Sequence, residues 1–205
     1  MDFRILKNEA EQRAVFDWWL GLEEHKGERA ELRRHQHGSE ALQSLGTFRL
    51  KYRLSKLESV RVSDAATAAV AHVLAYVKAD SHYEDKTDDA YFADLIKHPT
   101  SLAYLLGAET EQGAERAVFS ELRFQRLLQA AADLDDADFD KQMRRAVRQV
   151  QGKSEAALNP IVIAEHIFYR YRTSRNPDFY KGRRQFGYQF ANDYYQQVFK
   201  YQKEA

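Results

Sequence analysis

The 205-residue chain has no cysteine, three prolines and nine glycines. Without Cys there is no disulfide framework, thiolate metal site, iron–sulfur cluster or Cys nucleophile. So little Gly and Pro argues against an all-β fold, which needs a turn about every 8–12 residues, and against a collagenous or low-complexity chain. Long hydrophobic runs are missing too. The longest nearly apolar stretch, residues 65–77, contains Thr67 and His72. It falls short of the roughly 20 residues that span a bilayer. Residues 1–9, MDFRILKNE, break their apolar positions with charge and form no signal-peptide core. These absences predict a soluble, cytoplasmic chain with no membrane partner.

A net charge is missing as well, because 31 Lys and Arg balance 31 Asp and Glu. The balance conceals a segregation along the chain. Nine Lys/Arg oppose four acids from 25 to 62, and nine acids oppose Lys86 and Lys97 from 80 to 115. From 166 to 203, eight Lys/Arg oppose Asp178 and Asp193. Such a chain can hold a polyanion locally, yet its acidic part makes it a poor free-standing non-specific binder.

What is present reads as helix nearly throughout. Phe16, Trp19, Leu20 and Leu22 form an apolar stripe on a first helix, followed by a short basic segment, 28–34. Residues 42–54 have helix-like apolar spacing. Ser63 or Asp64 is a fitting N-cap for an Ala-rich helix over 65–78, the polar stretch 82–89 reads as a loop, and 91–97 as a short helix stopped by Pro99. The connection 107–113 marks the expected boundary between an N-terminal helical domain, 1–113, and a C-terminal helical bundle, 114–205. In the second part, 119–132 is helical. Asp135 or Asp136 caps a helix ending at Gly152, Asn159-Pro160 opens another, and Asn176-Pro177 breaks before a last helix from about Phe179 or Gln185 to Tyr201. The expected architecture is all-α, with two small helical bundles in tandem.

The sharpest chemical pattern is Lys141, Arg144, Arg145 and Arg148. At about 100° per residue these four share one arc of a helix, while Phe139, Met143, Ala146, Val147 and Val150 fall on the opposite side. That arrangement offers cations to successive phosphates of a nucleic-acid backbone. The alternative is a solvated face paired with Asp138 or Asp140. Arg123 and Arg126 lie one turn apart, away from Phe124 and Leu127, and Arg29, Arg33 and Arg34 form a third basic group. Between 168 and 201, 12 aromatic residues are interleaved with cations that include Arg183 and Arg184. Such rings can stack bases, or Phe186, Phe190 and Tyr194 can simply be core.

Catalytic signatures are wanting: there is no Gly-rich phosphate loop, HExxH or GxSxG. His35-x-His37 needs ligands from elsewhere to hold a metal, and Asp136-x-Asp138-x-Asp140 lacks the Gly and final Glu of a calcium loop. The reading is therefore a non-enzyme without cofactor or metal. Two rival readings stay open: a metal-dependent nuclease using Asp80, Glu84, Asp85, Asp88, Asp89 and Asp94, or a helical adaptor that binds only proteins.

Four segments carry a resemblance. GERAELRR, 27–34, resembles the basic N-terminal signature of the CasB family, the small subunit of the type I-E CRISPR surveillance complex Cascade. SELRFQRLL, 120–128, is similar to that family's central helix, and MRRAVR, 143–148, follows at about the family's interval. FANDYY, 190–195, is similar to its C-terminal motif. The matches are collinear from about Asp17 to Tyr195. Departures are a longer acidic stretch over 80–115 and Asn192 where the family usually has an Arg. The resemblance implies an all-helical, non-catalytic subunit, two copies of which lie head to tail against the backbone and large subunits. It implies contact with CRISPR RNA, target DNA and the displaced non-target strand of the R-loop, with sequence reading left to base pairing.

Overall fold

A computed structural model of the chain describes residues 3–79, 86–153 and 157–202. Among the described residues there are ten α-helices and no strand, only an isolated antiparallel bridge between Glu109 and Ala117. The all-α expectation is met.

Helix α1 spans Glu9–Glu24 and begins at a capping box, in which the Asn8 side chain accepts from the Glu11 N–H and Glu11 reaches back. Helix α2, Lys26–Arg34, follows almost at once. The apolar spacing over 42–54 resolves into a 3-10 turn, Glu40–Gln43, and α3, Leu45–Ser55, capped by Ser44. Ser63 caps α4, Asp64–Leu74, as its position predicts, but α4 stops four residues earlier than 78. Thr87 caps α5, Asp88–Lys97, which starts within the expected loop, and α6 is the short Leu102–Gly107. Helices α7, Glu121–Ala132, and α8, Asp136–Lys153, form a hairpin, and α8 runs through Gly152 rather than ending there. The Asn159 side chain caps α9, Pro160–Arg175, with Pro160 in the tolerated first turn. Helix α10, Phe186–Tyr201, begins after a 3-10 turn at Gly182–Arg184, later than a start at Phe179.

Helices α4 and α9 are the centre. Residues 66–74 and 160–171 are buried almost without exception, so neither helix has a polar face, and the two pack on each other. The apolar stretch at 65–77 is thus core, and 65–74 of it is helix α4. No helix among the described residues is long and apolar enough to cross a membrane. Helices α1 and α3 cover α4 and α9 on one side, with Trp19 and Phe16 wholly buried and Trp19 Nε1 donating to the Val77 carbonyl at 3.1 Å. Helix α10 lies along α6, so close that a β-carbon on Gly107 would stand 2.3 Å from the Tyr194 carbonyl oxygen. The buried core continues across residue 113, because α9 packs on α4 and α1, and α10 on α6. Glu165, buried on α9, accepts the backbone N–H groups of Arg4, Ile5 and Leu6 and so ties down the N-terminal segment.

Candidate nucleic-acid interface

Helix α8 buries Phe139, Met143, Ala146, Val147 and Val150, the face that its apolar spacing predicts. Its link to α7 is only Asp133, Leu134 and Asp135. Leu134 takes φ 59°, in the left-handed region, which lets the chain reverse in so short a space. The Asp135 side chain accepts from the Asp138 N–H at 2.9 Å and caps α8. Because α7 and α8 turn back on each other, cations far apart in sequence come to line one groove.

That groove, of about 600 Å³, is walled by Arg123 and Arg126 from α7 and by Arg145 and Arg148 from α8. Phe119, Gln142 and Gln149 complete it, and among the described residues no carboxylate lines it. All four arginines are exposed, and none pairs with a carboxylate among the described residues. Four like charges lining one groove make it attractive to an anion. A larger groove of about 920 Å³ adjoins it through Arg123 and Gln149, but there Arg116 and Lys153 are offset by Glu111, Glu115 and Glu121.

The other expected cations divide. Lys141 is exposed, with a loose 3.9 Å approach to Asp138, and Arg34 is exposed at the end of α2. Arg183 and Arg184 are exposed on the 3-10 turn before α10, with the Arg184 guanidinium 5.8 Å over the Phe179 ring. Arg144 departs from the expectation that all four α8 cations face outward. Its side chain is only 17% exposed, its Nε lies 3.1 Å from Asp140, and Nη2 donates to the Gln36 carbonyl. Asp140 is itself wholly buried and lies 3.0 Å from the Nδ1 of buried His72, whose Nε2 faces the His35 carbonyl at 3.1 Å. The pairing with Asp140 therefore holds for Arg144.

Arg29 departs more strongly. It is 7% exposed, pairs with Glu23, and donates to the Val77 carbonyl at 3.2 Å. Arg33 is half-buried, donates from Nε to the Ala75 carbonyl at 2.6 Å and lies over the Tyr76 ring. Burial, with the Arg29 charge beside it, lowers its pKa below the ordinary arginine value. Both arginines close the C-terminal end of α4, where unpaired carbonyls and the negative end of the helix dipole attract cations.

The aromatic residues also divide as the spacing allows. Phe124, Phe190 and Tyr194 are buried, with Phe124 and Tyr194 stacked 3.8 Å apart. The hydroxyls of Tyr194 and Tyr201 donate to the carbonyls of Phe119 and Gly107 at 2.8 and 3.1 Å. Arg170, another of the cations interleaved with these aromatics, is buried: it pairs with Asp136 and lies 4.7 Å over Phe139. Of the acidic set, Asp80, Glu84 and Asp85 lie outside the described residues, Asp89 pairs with Arg13 at 2.6 Å, and Asp94 pairs with Lys86. Among the described residues no group of three or more His, Asp or Glu side chains is placed to hold a metal ion.

Comparison with curated proteins and with solved structures gives no match. The family model described as CRISPR-associated protein Cse2 matches residues 28–195, from the start of α2 to within α10, and so covers most of the chain and the whole α7–α8 groove. Ordered basic helices on an all-α core and that match agree: the chain belongs to the CRISPR-associated Cse2 family, and is a small, structural subunit of a CRISPR Cascade complex that it forms with other subunits.

Proposed function

We propose that the α7–α8 groove is where this subunit grips a nucleic-acid backbone, and that by doing so it stabilises the R-loop. The strands concerned are the CRISPR RNA, the target DNA and above all the displaced non-target strand. One observation carries the reading: Arg123, Arg126, Arg145 and Arg148 converge on a groove that no carboxylate of the described residues lines. Lys141, Arg34, Arg183 and Arg184 are further exposed cations and secondary candidates for backbone contact. No base-edge recognition is needed, because guide–target pairing reads the sequence. The zero net charge of the whole chain fits a subunit held in place by protein neighbours, where a few local cations act at high effective concentration. In this reading the chain performs no catalysis, works in the cytoplasm, and lies as a head-to-tail pair against the backbone and large subunits.

The test is R-loop stability in the assembled complex with Arg145→Glu and Arg148→Glu together. The complex should still assemble, while locked R-loops at roughly 0.15 M salt become short-lived. Parent-like R-loop lifetimes would overturn the phosphate role of this groove.

A further inference from the structure

A separate cleft of about 530 Å³ opens between α9, the Gly182–Arg184 turn and the start of α10. Its size lies in the roughly 300–1,000 Å³ range of small-ligand sites. Unlike the α7–α8 groove, it carries mixed chemistry, of which Arg4, Glu165 and Tyr169 are already hydrogen-bonded within the protein. His166 lines it, is 8% exposed, and has a buried Nδ1 with no hydrogen-bond partner among the described residues. Its Nε2 also makes no hydrogen bond with a described residue, so the imidazole edge that lines the cleft is open to a ligand atom. The side chains of Arg183, Tyr188, Asn192 and Asp193, which also line the cleft, make no hydrogen bond or ion pair with any described residue.

The aromatic part is graded. Phe186 and Phe190 are buried and stack 5.0 Å apart, and the Phe190 ring meets the His166 imidazole edge-on at 5.1 Å. Tyr188, 48% exposed, has no ring contact among the described residues, so its face is free. A free aromatic face suits a base, and a guanidinium suits a phosphate. The Asp193 carboxylate would repel a phosphate, but with the Asn192 amide it can accept from the exocyclic amine of a base such as cytosine. Burial pushes the His166 pKa down to about 3, so its ring meets the ligand uncharged.

We infer that this cleft holds one unstacked nucleotide of a single strand, its base on Tyr188 against Asn192, Asp193 and His166, and its phosphate toward Arg183. The inference rests on the nucleic-acid role proposed above and adds to it a site for a single base. The full-length chain is titrated at low salt with two oligonucleotides of equal length and charge, oligo-dC and its abasic counterpart. The parent should hold oligo-dC roughly five- to a hundred-fold more tightly, the worth of one base stacked on an aromatic ring. Tyr188→Ala with Asn192→Ala, both at exposed positions, should remove that gap and leave abasic binding unchanged. Arg145→Glu with Arg148→Glu should weaken both oligonucleotides alike and preserve the gap. Equal parent affinity for the two probes, or a gap that survives the Tyr188 and Asn192 substitutions, overturns the base site while the phosphate groove stands. Failure of the parent to bind either probe even at low salt overturns the base site, while the phosphate groove is judged separately by R-loop lifetime in the assembled complex.

Discussion

On the side of α8 that meets α4, Arg144 is bound to Asp140 and to the carbonyl of Gln36 just beyond α2, and on α2 Arg29 and Arg33 reach the carbonyls of Val77 and Ala75. On the side that meets α7, Arg145 and Arg148 face Arg123 and Arg126 across an open groove. The same residue type, one position apart on one helix, has opposite uses. What decides between them is the opposite wall. The α4 end supplies unpaired carbonyls and α8 a buried acid, and these take up guanidinium groups. The α7 flank offers neither, so its arginines remain free for an outside anion.

Breaking the bound side should have the largest effect. Arg144→Glu sets a carboxylate against buried Asp140 and should cost about 3–5 kcal/mol of unfolding free energy, read by denaturant titration. A loss below about 1 kcal/mol would mean that Arg144 is as free as Arg145.

The next effect tests whether burial has silenced His166 as it has Arg144. The folded chain keeps this imidazole neutral down to about pH 3, against an ordinary pKa of 6.5. Between those values only the unfolded chain takes up the proton, so stability falls as pH drops below 6.5 and is untouched above it. By about pH 5 the loss is about 2 kcal/mol. Glu165, whose pKa burial raises, titrates with the opposite sign. The readout is therefore the difference between the parent and His166→Phe, which should lack this part of the slope. Parallel profiles would contradict a buried neutral His166.

Smaller effects sharpen the open side. Leu134→Gly relieves the left-handed backbone between α7 and α8 and should raise stability by about 0.5–1 kcal/mol without altering oligonucleotide affinity. Smallest of all, Arg145→Glu should change unfolding free energy by under about 0.5 kcal/mol, as for an exposed site without partners. A larger loss would show that the groove arginines have a structural task.

Much of the fold is legible in local chemistry. The caps at Ser63 and Asn159, the apolar face of α8 and the breaks at Pro99 and Asn176-Pro177 are read from neighbours in sequence, and the helices start and stop close to them. Helix ends without such punctuation are not legible: α4 ends at Leu74 because its chain turns to present the Ala75 and Val77 carbonyls to α2. The free cations at Arg123, Arg126, Arg145 and Arg148 are each visible as exposed positions, but their convergence depends on the α7–α8 reversal through Leu134. Arg29, Arg144 and Arg170 were illegible for the complementary reason. Their partners at Val77, Gln36 and Asp136 lie 34 to 108 residues away. For Arg144 the one local clue was Asp140, one helical turn back.

The central claim is that the α7–α8 arginines, and not those at the α4 end, meet phosphate. It is tested most directly by the salt dependence of single-stranded DNA binding by the assembled complex. The parent is compared with a chain carrying Gln at positions 123, 126, 145 and 148. Each lost phosphate contact should flatten the plot of log affinity against log salt by about 0.7, so the quadruple variant should lose roughly 2–3 from the slope. An unchanged slope would contradict the account and leave those four arginines as solvated surface.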